Sequence, residues 1–283
     1  MKIAAFILTF NEEKRIRDTI AALKAFDEIV ICDKSSTDST REIARELGAK
    51  VLQIAYSDAD VLFSERKNVK DFLDNKVESE WIFNLSTSDI VHYKLYGELI
   101  NAIDKCKNKY DVIEIPMHKY SMGVTGKETF IGAMRYEKNV FRKEIYKVDF
   151  NIMIHESEYK DNPAYTLQCK DSNIAVYHLT HPTLELIMDR HWRYSVKYVK
   201  DSELHGRNRE RVMRYSVNEC IRLIYRYFKR GIYKSKEVGK AQLMMLIMYN
   251  CMIFLNAFFD KEMEQQIDNK YREIREMCSG KSK

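Results

Sequence analysis

The chain has 283 residues, of which 45% are hydrophobic and 31% charged, with only 9 Gly and 3 Pro. This suits one large domain, or one domain with a smaller appendage, and excludes a disordered, collagenous or linker-rich protein. The net charge of +5 is uneven: residues 184–239 hold 14 Lys+Arg against 7 Asp+Glu, and residues 1–183 hold 26 against 29, so an anionic partner is expected for the basic stretch.

The apolar run Ile3–Thr9 reads as a buried parallel strand. Residues 11–26 place Ile16, Ile20, Leu23 and Phe26 at helical spacing. Glu28–Asp33 (EIVICD) is a second buried strand. Ser36, Thr37, Asp38 and Ser39 then offer N-caps for a helix over residues 40–47, stopped by Gly48. Residues 50–55 read as a strand, 64–75 as a helix and 80–85 (EWIFNL) as a fourth strand. This alternation predicts a right-handed, mostly parallel α/β sheet. Further on, residues 94–107 look helical, and strands are expected at 110–116, 129–136, 139–142 and 174–178. A domain boundary is expected at His181-Pro182, giving residues 1–181 and 182–283. Three helices are expected in the second part, at 184–203, 207–233 and 238–261, followed by a charged tail. Residues 241–259 carry no charge. Gln242, Asn250 and Asn256 interrupt them, so a buried or surface-lying helix is expected rather than a membrane span.

The six cysteines, at 32, 106, 169, 220, 251 and 278, are at least 27 residues apart. This excludes CxxC metal or redox motifs and fits free thiols in a reducing compartment. Met1-Lys2 leads straight into Ile3, and the apolar run is too short for a secretory signal, so a cytoplasmic location is expected.

In an open α/β sheet, ligands bind beyond the carboxyl ends of the strands. The first strand ends in Thr9-Phe10-Asn11-Glu12, the second in Asp33 followed by residues 35–40, and the fourth in Ser86-Thr87-Ser88-Asp89. No GxGxxG or GxxxxGK[ST] phosphate loop and no GxSxG or HExxH motif occurs. Strand-end carboxylates accept hydrogen bonds from ribose hydroxyls and a base imide, which suits a nucleoside diphosphate held by its nucleoside end.

Residues 7–13 (ILTFNEE), 26–33 (FDEIVICD) and 36–40 (STDST) together resemble the start of a family 2 glycosyltransferase with the GT-A fold. The closest resemblance is to the lipopolysaccharide-core β-glucosyltransferase subgroup. Lys67-Asn68, residues 81–85 (WIFNL) and Ile154-His155-Glu156 fall where that subgroup has its "RN", "WIxxLDADE" and "VHE" motifs. The match is dense over residues 3–90, sparse through 156 and weak thereafter. The resemblance implies that Thr9, Asn11 and Glu12 line a nucleoside pocket, with Glu12 accepting from a ribose hydroxyl. Asp33 would accept from the base imide, with Asp38 beside it. Lys67 would lie near the diphosphate, with Asn68 supporting its loop. Glu156 would be the general base of an inverting hexosyl transfer, with His155 orienting it or touching the diphosphate. The donor would be a nucleotide sugar, UDP-linked, and the acceptor a cell-surface glycan or lipid-linked saccharide.

The chain departs from the family at the metal strand, where Ser86-Thr87-Ser88-Asp89 replaces Asp-x-Asp-Glu. A divalent cation, Mg²⁺ or Mn²⁺, needs carboxylate oxygens. Asp89 remains, with His178 or His181 as a further ligand. Three readings stay open: weak metal binding through Asp89 and the diphosphate, metal-independent transfer supported by Lys67 and other cations, and a catalytically degenerate nucleotide-binding or interaction protein. The basic, Tyr-rich C-terminal segment suits a membrane surface or a helix–helix homodimer contact. Nucleic acid is not an expected partner, because the front half is acidic and no recognition motif is present.

Overall fold

The computed structural model describes residues 1–57, 61, 63–106, 109–130, 132, 134–146, 162–181 and 183–278. The chain forms two compact units, Met1–Pro182 and Thr183–Lys283.

The first unit runs β1 (Ile3–Thr9), α1 (Ile16–Ala21), β2 (Glu28–Asp33), α2 (Thr40–Glu46), β3 (Lys50–Gln53), α3 (Arg66–Lys76), β4 (Trp81–Ser86), β5 (Asp89–Val91) and α4 (Leu95–Cys106). It continues with β6 (Val112–Ser121), β7 (Arg135–Arg142), β8 (Ala164–Thr166) and β9 (Val176–Thr180). Among the described residues these strands form one sheet in the order β3-β2-β1-β4-β7-β6-β9-β5, with β8 added beside β6. The β3-β2-β1-β4 half is parallel, and β7 runs antiparallel between β4 and β6.

Residues along β1 alternate between two cores, as the twofold pleat requires. Ile3, Ala5 and Ile7 face Ile16, Ile20 and Leu23 together with Leu95 and Leu99 of α4. Ala4 and Phe6 face Val69 and Leu73 of α3. The sheet is thus buried on both faces, which explains the unbroken apolar runs of β1 and β2.

At the amino end of β2, carboxylates tie neighbouring segments. Asp27 accepts from Ile3 N–H and Tyr96 OH, both at 2.8 Å. Glu28 accepts from Lys50 Nζ at 2.5 Å and from Ser79 N–H and Oγ, both at 2.6 Å. Burial pushes the Glu28 carboxyl up, but hydrogen bonds from Lys50, Ser79 and Glu78 N–H outweigh it and hold the group at about 2.

Several boundaries differ from the sequence reading. The helix expected over 11–26 is confined to Ile16–Ala21. Its forward half is lost because N–H groups of residues 11–13 bond to side chains after β2, and Asn11 has φ 53°. All four apolar positions still pack inward. The two strands expected at 129–136 and 139–142 are one, β7, preceded by turns with bridges Ser121 to Val124 and Gly126 to Gly132. The strand expected at 174–178 starts two residues later.

The second unit has four helices among the described residues, not three: α5 (Leu184–Leu204), α6 (Arg209–Lys229), α7 (Lys236–Phe258) and α8 (Lys261–Cys278). The charged tail is helical because Asp260 caps it, accepting from Met263 N–H at 2.8 Å, and acids fill its first turn. Thr183 and Asn208 cap α5 and α6 in the same way. Val199, Val212, Ile253 and Ala257 form the core of the bundle. The uncharged stretch lies in α7, where Asn256 donates to Ser195 Oγ at 2.9 Å and Asn250 to Leu246 O at 2.8 Å. Ile232–Phe258 is long and apolar enough to cross a membrane by length and composition, and a third of its apolar window is buried within the protein.

Two predictions follow from this unit. A Cβ on Gly239 would come within 2.4 Å of Ile232 O, a backbone atom. Helix propensity alone favours Ala there by about 1 kcal/mol. The clash reverses the sign, so Gly239→Ala lowers stability by about 1–3 kcal/mol. A melting temperature that is unchanged or raised would refute this. Burial, with Arg190 nearby, pushes His191 down to about 4 from its usual 6.5. The unfolded chain binds the proton first, so stability is complete above pH 6.5 and falls as pH drops toward 4. Thermal melts between pH 7 and 4 on the protein and on His191→Gln check this: the variant should show a shallower pH dependence across that window.

Candidate functional site

The chain leaves β1 toward β2 and β3 on one side, then returns to place β4 on β1's other side. The carboxyl ends of β1 and β4 therefore mark the point where strand order reverses, where open α/β sheets offer a crevice to ligands. Three polar segments meet there: the end of β1, the loop after β2 and the end of β4.

Asp33 anchors the first two. It is 0% exposed. Its Oδ2 accepts from Thr9 Oγ1 at 3.0 Å and Ser36 Oγ at 2.5 Å, and its Oδ1 accepts from Ser36 N–H at 2.8 Å. Arg41 Nε lies 3.8 Å from Oδ1. A buried carboxylate requires such donors, and here they fasten β1 to the loop after β2. The sequence reading gave Asp33 an open acceptor role toward a base. The geometry instead seals it behind Thr9 and Ser36, with three donors already on its two oxygens.

Asp38 works beside it. Its Oδ1 accepts from Thr40 N–H at 3.0 Å and Thr40 Oγ1 at 2.5 Å, and its Oδ2 from Glu13 N–H at 3.1 Å. Asp38 thus satisfies the start of α2, whereas the flanking Ser39 makes no side-chain cap bond. Ser36 Oγ accepts from Asn11 N–H at 2.8 Å and Thr40 Oγ1 from Glu12 N–H at 2.7 Å. Asn11 Oδ1 returns the favour across the gap, accepting from Thr37 N–H at 2.8 Å. Thr9, Asn11, Glu12, Asp33 and Asp38 are therefore brought together, as expected. Asn11 is exposed and Glu12 and Asp38 half-buried, so these three reach the crevice.

The sequence reading missed Arg15, Ser36, Thr40 and the aromatic pair Phe10 and Tyr56, whose ring centroids are 4.5 Å apart. Arg15 clasps Glu12 with two parallel bonds, Nε to Oε2 at 2.8 Å and Nη2 to Oε1 at 2.7 Å. Its Nη1 reaches Ser88 Oγ at 3.5 Å. A basic residue three positions after an acid, just before a helix, was the signal available for this pair.

At the end of β4, Asp89 meets His178, one of the two histidines considered beside it, through a direct hydrogen bond. His178 Nδ1 is 2.6 Å from Asp89 Oδ1, and Ser86 donates to Oδ2 through N–H at 2.6 Å and Oγ at 3.0 Å. Antiparallel pairing of β5 with β9 sets Asp89 directly opposite His178. His181 is turned to Ser121 Oγ, 2.8 Å away. A divalent cation does not fit this donor set. The side chains at 86 and 88 are hydroxyls, both Asp89 oxygens already accept, and Asp89 is only 5% exposed. Among the described residues, no group of three or more metal-ligating side chains occurs.

Lys67 and Asn68 lie exposed on the first turn of α3, and Asn68 Nδ2 donates to Glu65 at 2.8 Å. The neighbouring cation, Arg66, is the buried one. His155 and Glu156 lie outside the described residues.

The sequence model described as glycosyl transferase family 2 matches residues 4–159. An uncharacterized glycosyltransferase of Rickettsia bellii is 27% identical over 232 residues, covering 73% of this chain and 69% of that protein. The SPbeta prophage-derived glycosyltransferase SunS of Bacillus subtilis is 24% identical over 57% of this chain and 40% of its own length. Among solved structures, S. aureus TarS 1-349 in complex with UDP aligns over 94% of this chain and 92% of that chain, at 18% identity and a TM-score of 0.46. The family match spans more than half of the sequence and falls on the unit whose strands carry the GT-A arrangement, so the chain belongs to glycosyltransferase family 2 and is a glycosyltransferase.

Proposed function

We propose that the protein transfers a hexose from a UDP-sugar to a cell-surface glycan or lipid-linked saccharide, with inversion at the anomeric carbon. The observation that carries this reading is the convergence of Asn11, Glu12 and Asp38 at the switch point of the sheet. Asn11 is exposed there, and Asp38 and Glu12, though engaged by Thr40, Glu13 and Arg15, keep acceptor lone pairs for ribose hydroxyls; Phe10 offers an apolar face beside them for the base. Thr9 and Asp33 hold this pocket's shape from behind, in place of a direct role on the base. The likeness of residues 3–90 to the lipopolysaccharide-core subgroup favours a hexose and a saccharide acceptor.

In the transfer, the acceptor hydroxyl attacks the anomeric carbon as its bond to the nucleoside diphosphate breaks. The hydroxyl proton passes to the Glu156 carboxylate, and the diphosphate leaves with the electron pair. His155 orients Glu156 or touches the diphosphate. Residues 1–181 act as the catalytic domain, on the cytoplasmic side of a membrane. Residues 182–283 serve as the docking region. There α6 exposes Ile221, Ile224, Tyr225 and Phe228 beside Arg222, Arg226 and Lys229, a pattern suited to an anionic lipid surface. The same helices could pair two copies of the chain.

Titration calorimetry with UDP and GDP tests the donor. UDP should bind and GDP should bind at least tenfold more weakly; binding by neither nucleotide removes this reading. Glu156→Gln should keep UDP affinity within about twofold and lose about 10²–10⁴-fold in transfer rate. Full transfer by that variant would take the base role away from Glu156.

A further inference from the structure

We propose that this transferase holds its donor's diphosphate without a divalent cation, and that Arg15 is the cation that faces the phosphates. This rests on the nucleotide-sugar reading above and deepens it.

The reasoning starts from charge. A nucleoside diphosphate leaving group must be stabilised by something positive. A metal ion needs hard anionic ligands to replace its water, and the end of β4 supplies hydroxyls at 86 and 88. The one carboxylate there, Asp89, is committed. Ser86 N–H and Oγ occupy one oxygen and His178 the other, at 2.6–3.0 Å. Freeing it would break bonds that join β4, β5 and β9.

Arg15 has the complementary arrangement. It stands just before α1, and its side chain crosses from the end of β1 to the end of β4. Glu12 takes one edge of the guanidinium with two bonds, which fixes the plane. The remaining nitrogen, Nη1, points to Ser88, with Oγ at 3.5 Å. A carboxylate at 88 would pull that nitrogen into an ion pair. A hydroxyl leaves that Nη1 edge open to an anion entering the crevice, while Glu12 keeps the opposite edge. The Arg15 side chain is 28% exposed, so the anion can reach it. Where acids at 86 and 88 would hold a metal, this chain has hydroxyls, with the Arg15 guanidinium beside Ser88. Other basic groups near the strand ends are placed differently. Lys34 is buried and donates to Ser57 O at 3.0 Å, and Arg41 faces Asp33 from α2.

The test is calorimetric titration of the full-length protein with UDP and UMP, each with 1 mM Mn²⁺ and with EDTA, repeated on Arg15→Ala and Arg15→Lys. The expected result is UDP affinity unchanged within about twofold between Mn²⁺ and EDTA. Arg15→Ala should weaken UDP about tenfold more than it weakens UMP, so the UDP-over-UMP preference collapses. Arg15→Lys, which keeps the charge and guards against a folding artefact, should retain most of that preference. UDP binding that requires Mn²⁺ overturns the proposal and leaves the donor reading standing. An undiminished UDP preference in Arg15→Ala overturns the role of Arg15. Binding of neither nucleotide in any condition overturns the donor reading and this proposal with it.

Discussion

A carboxylate with no exposed surface, Asp33, receives three hydrogen bonds from Thr9 and Ser36, and the shape of the crevice depends on it. Each of those donors contributes about 1.5–3 kcal/mol as a hydrogen bond to a charged group. The consequence is geometric. With Ser36 held against Asp33, its Oγ can accept from Asn11 N–H, and Thr40, held by Asp38, can accept from Glu12 N–H. The first turn after β1 therefore gives its N–H groups to another loop, and α1 starts late. Left-handed φ values at Asn11 (53°) and Ser35 (60°) accompany this crossing of two loops. Asn tolerates that region better than most residues, and Asn11 Oδ1 there accepts from Thr37 N–H on the other loop.

Carboxylates serve both ends of β2, with different effects. At the amino end, Asp27 and Glu28 bind the entry of β1, the entry of β4 and Lys50 of β3, beside a hollow lined by Lys50, Val51, Phe72, Glu78 and Lys143. At the carboxyl end, Asp33 and Asp38 bind the loops after β1 and β2, beside the switch point. The same chemistry ties strand entries together at one edge of the sheet and crossing loops at the other. What separates the two is the direction in which parallel strands send their connections.

The helical unit is stabilised in another way. Its polar residues are spent on helix starts, at Thr183, Asn208 and Asp260, and on side-chain bonds inside the bundle such as Asn256 to Ser195. This leaves the aromatic and basic side chains of α6 on its surface, where apolar and charged groups alternate. Gly239 allows α7 to begin against the carbonyl of Ile232, a contact that no larger residue permits without a shift. Both features depend on helix geometry and need little from long-range pairing.

By itself, the amino-acid sequence determined the order of strands and helices from β1 to β4, the buried faces of β1 and β2, and the gathering of Thr9, Asn11, Glu12, Asp33 and Asp38 at one edge, but not β5 or β8. These follow from short-range periodicity and from the rule that parallel strands point one way. The motifs of residues 3–40 lie on two adjacent strands, so their meeting was legible from spacing. Only the tertiary structure decided that Asp33 is sealed, that Arg15 meets Ser88 across 73 residues and that Asp89 meets His178 across 89. Those contacts depend on the register of β1 against β4 and of β5 against β9, set by packing across the whole sheet. The late start of α1 has the same origin: hydrogen bonds from a distant loop outcompeted a helical pattern that was locally complete.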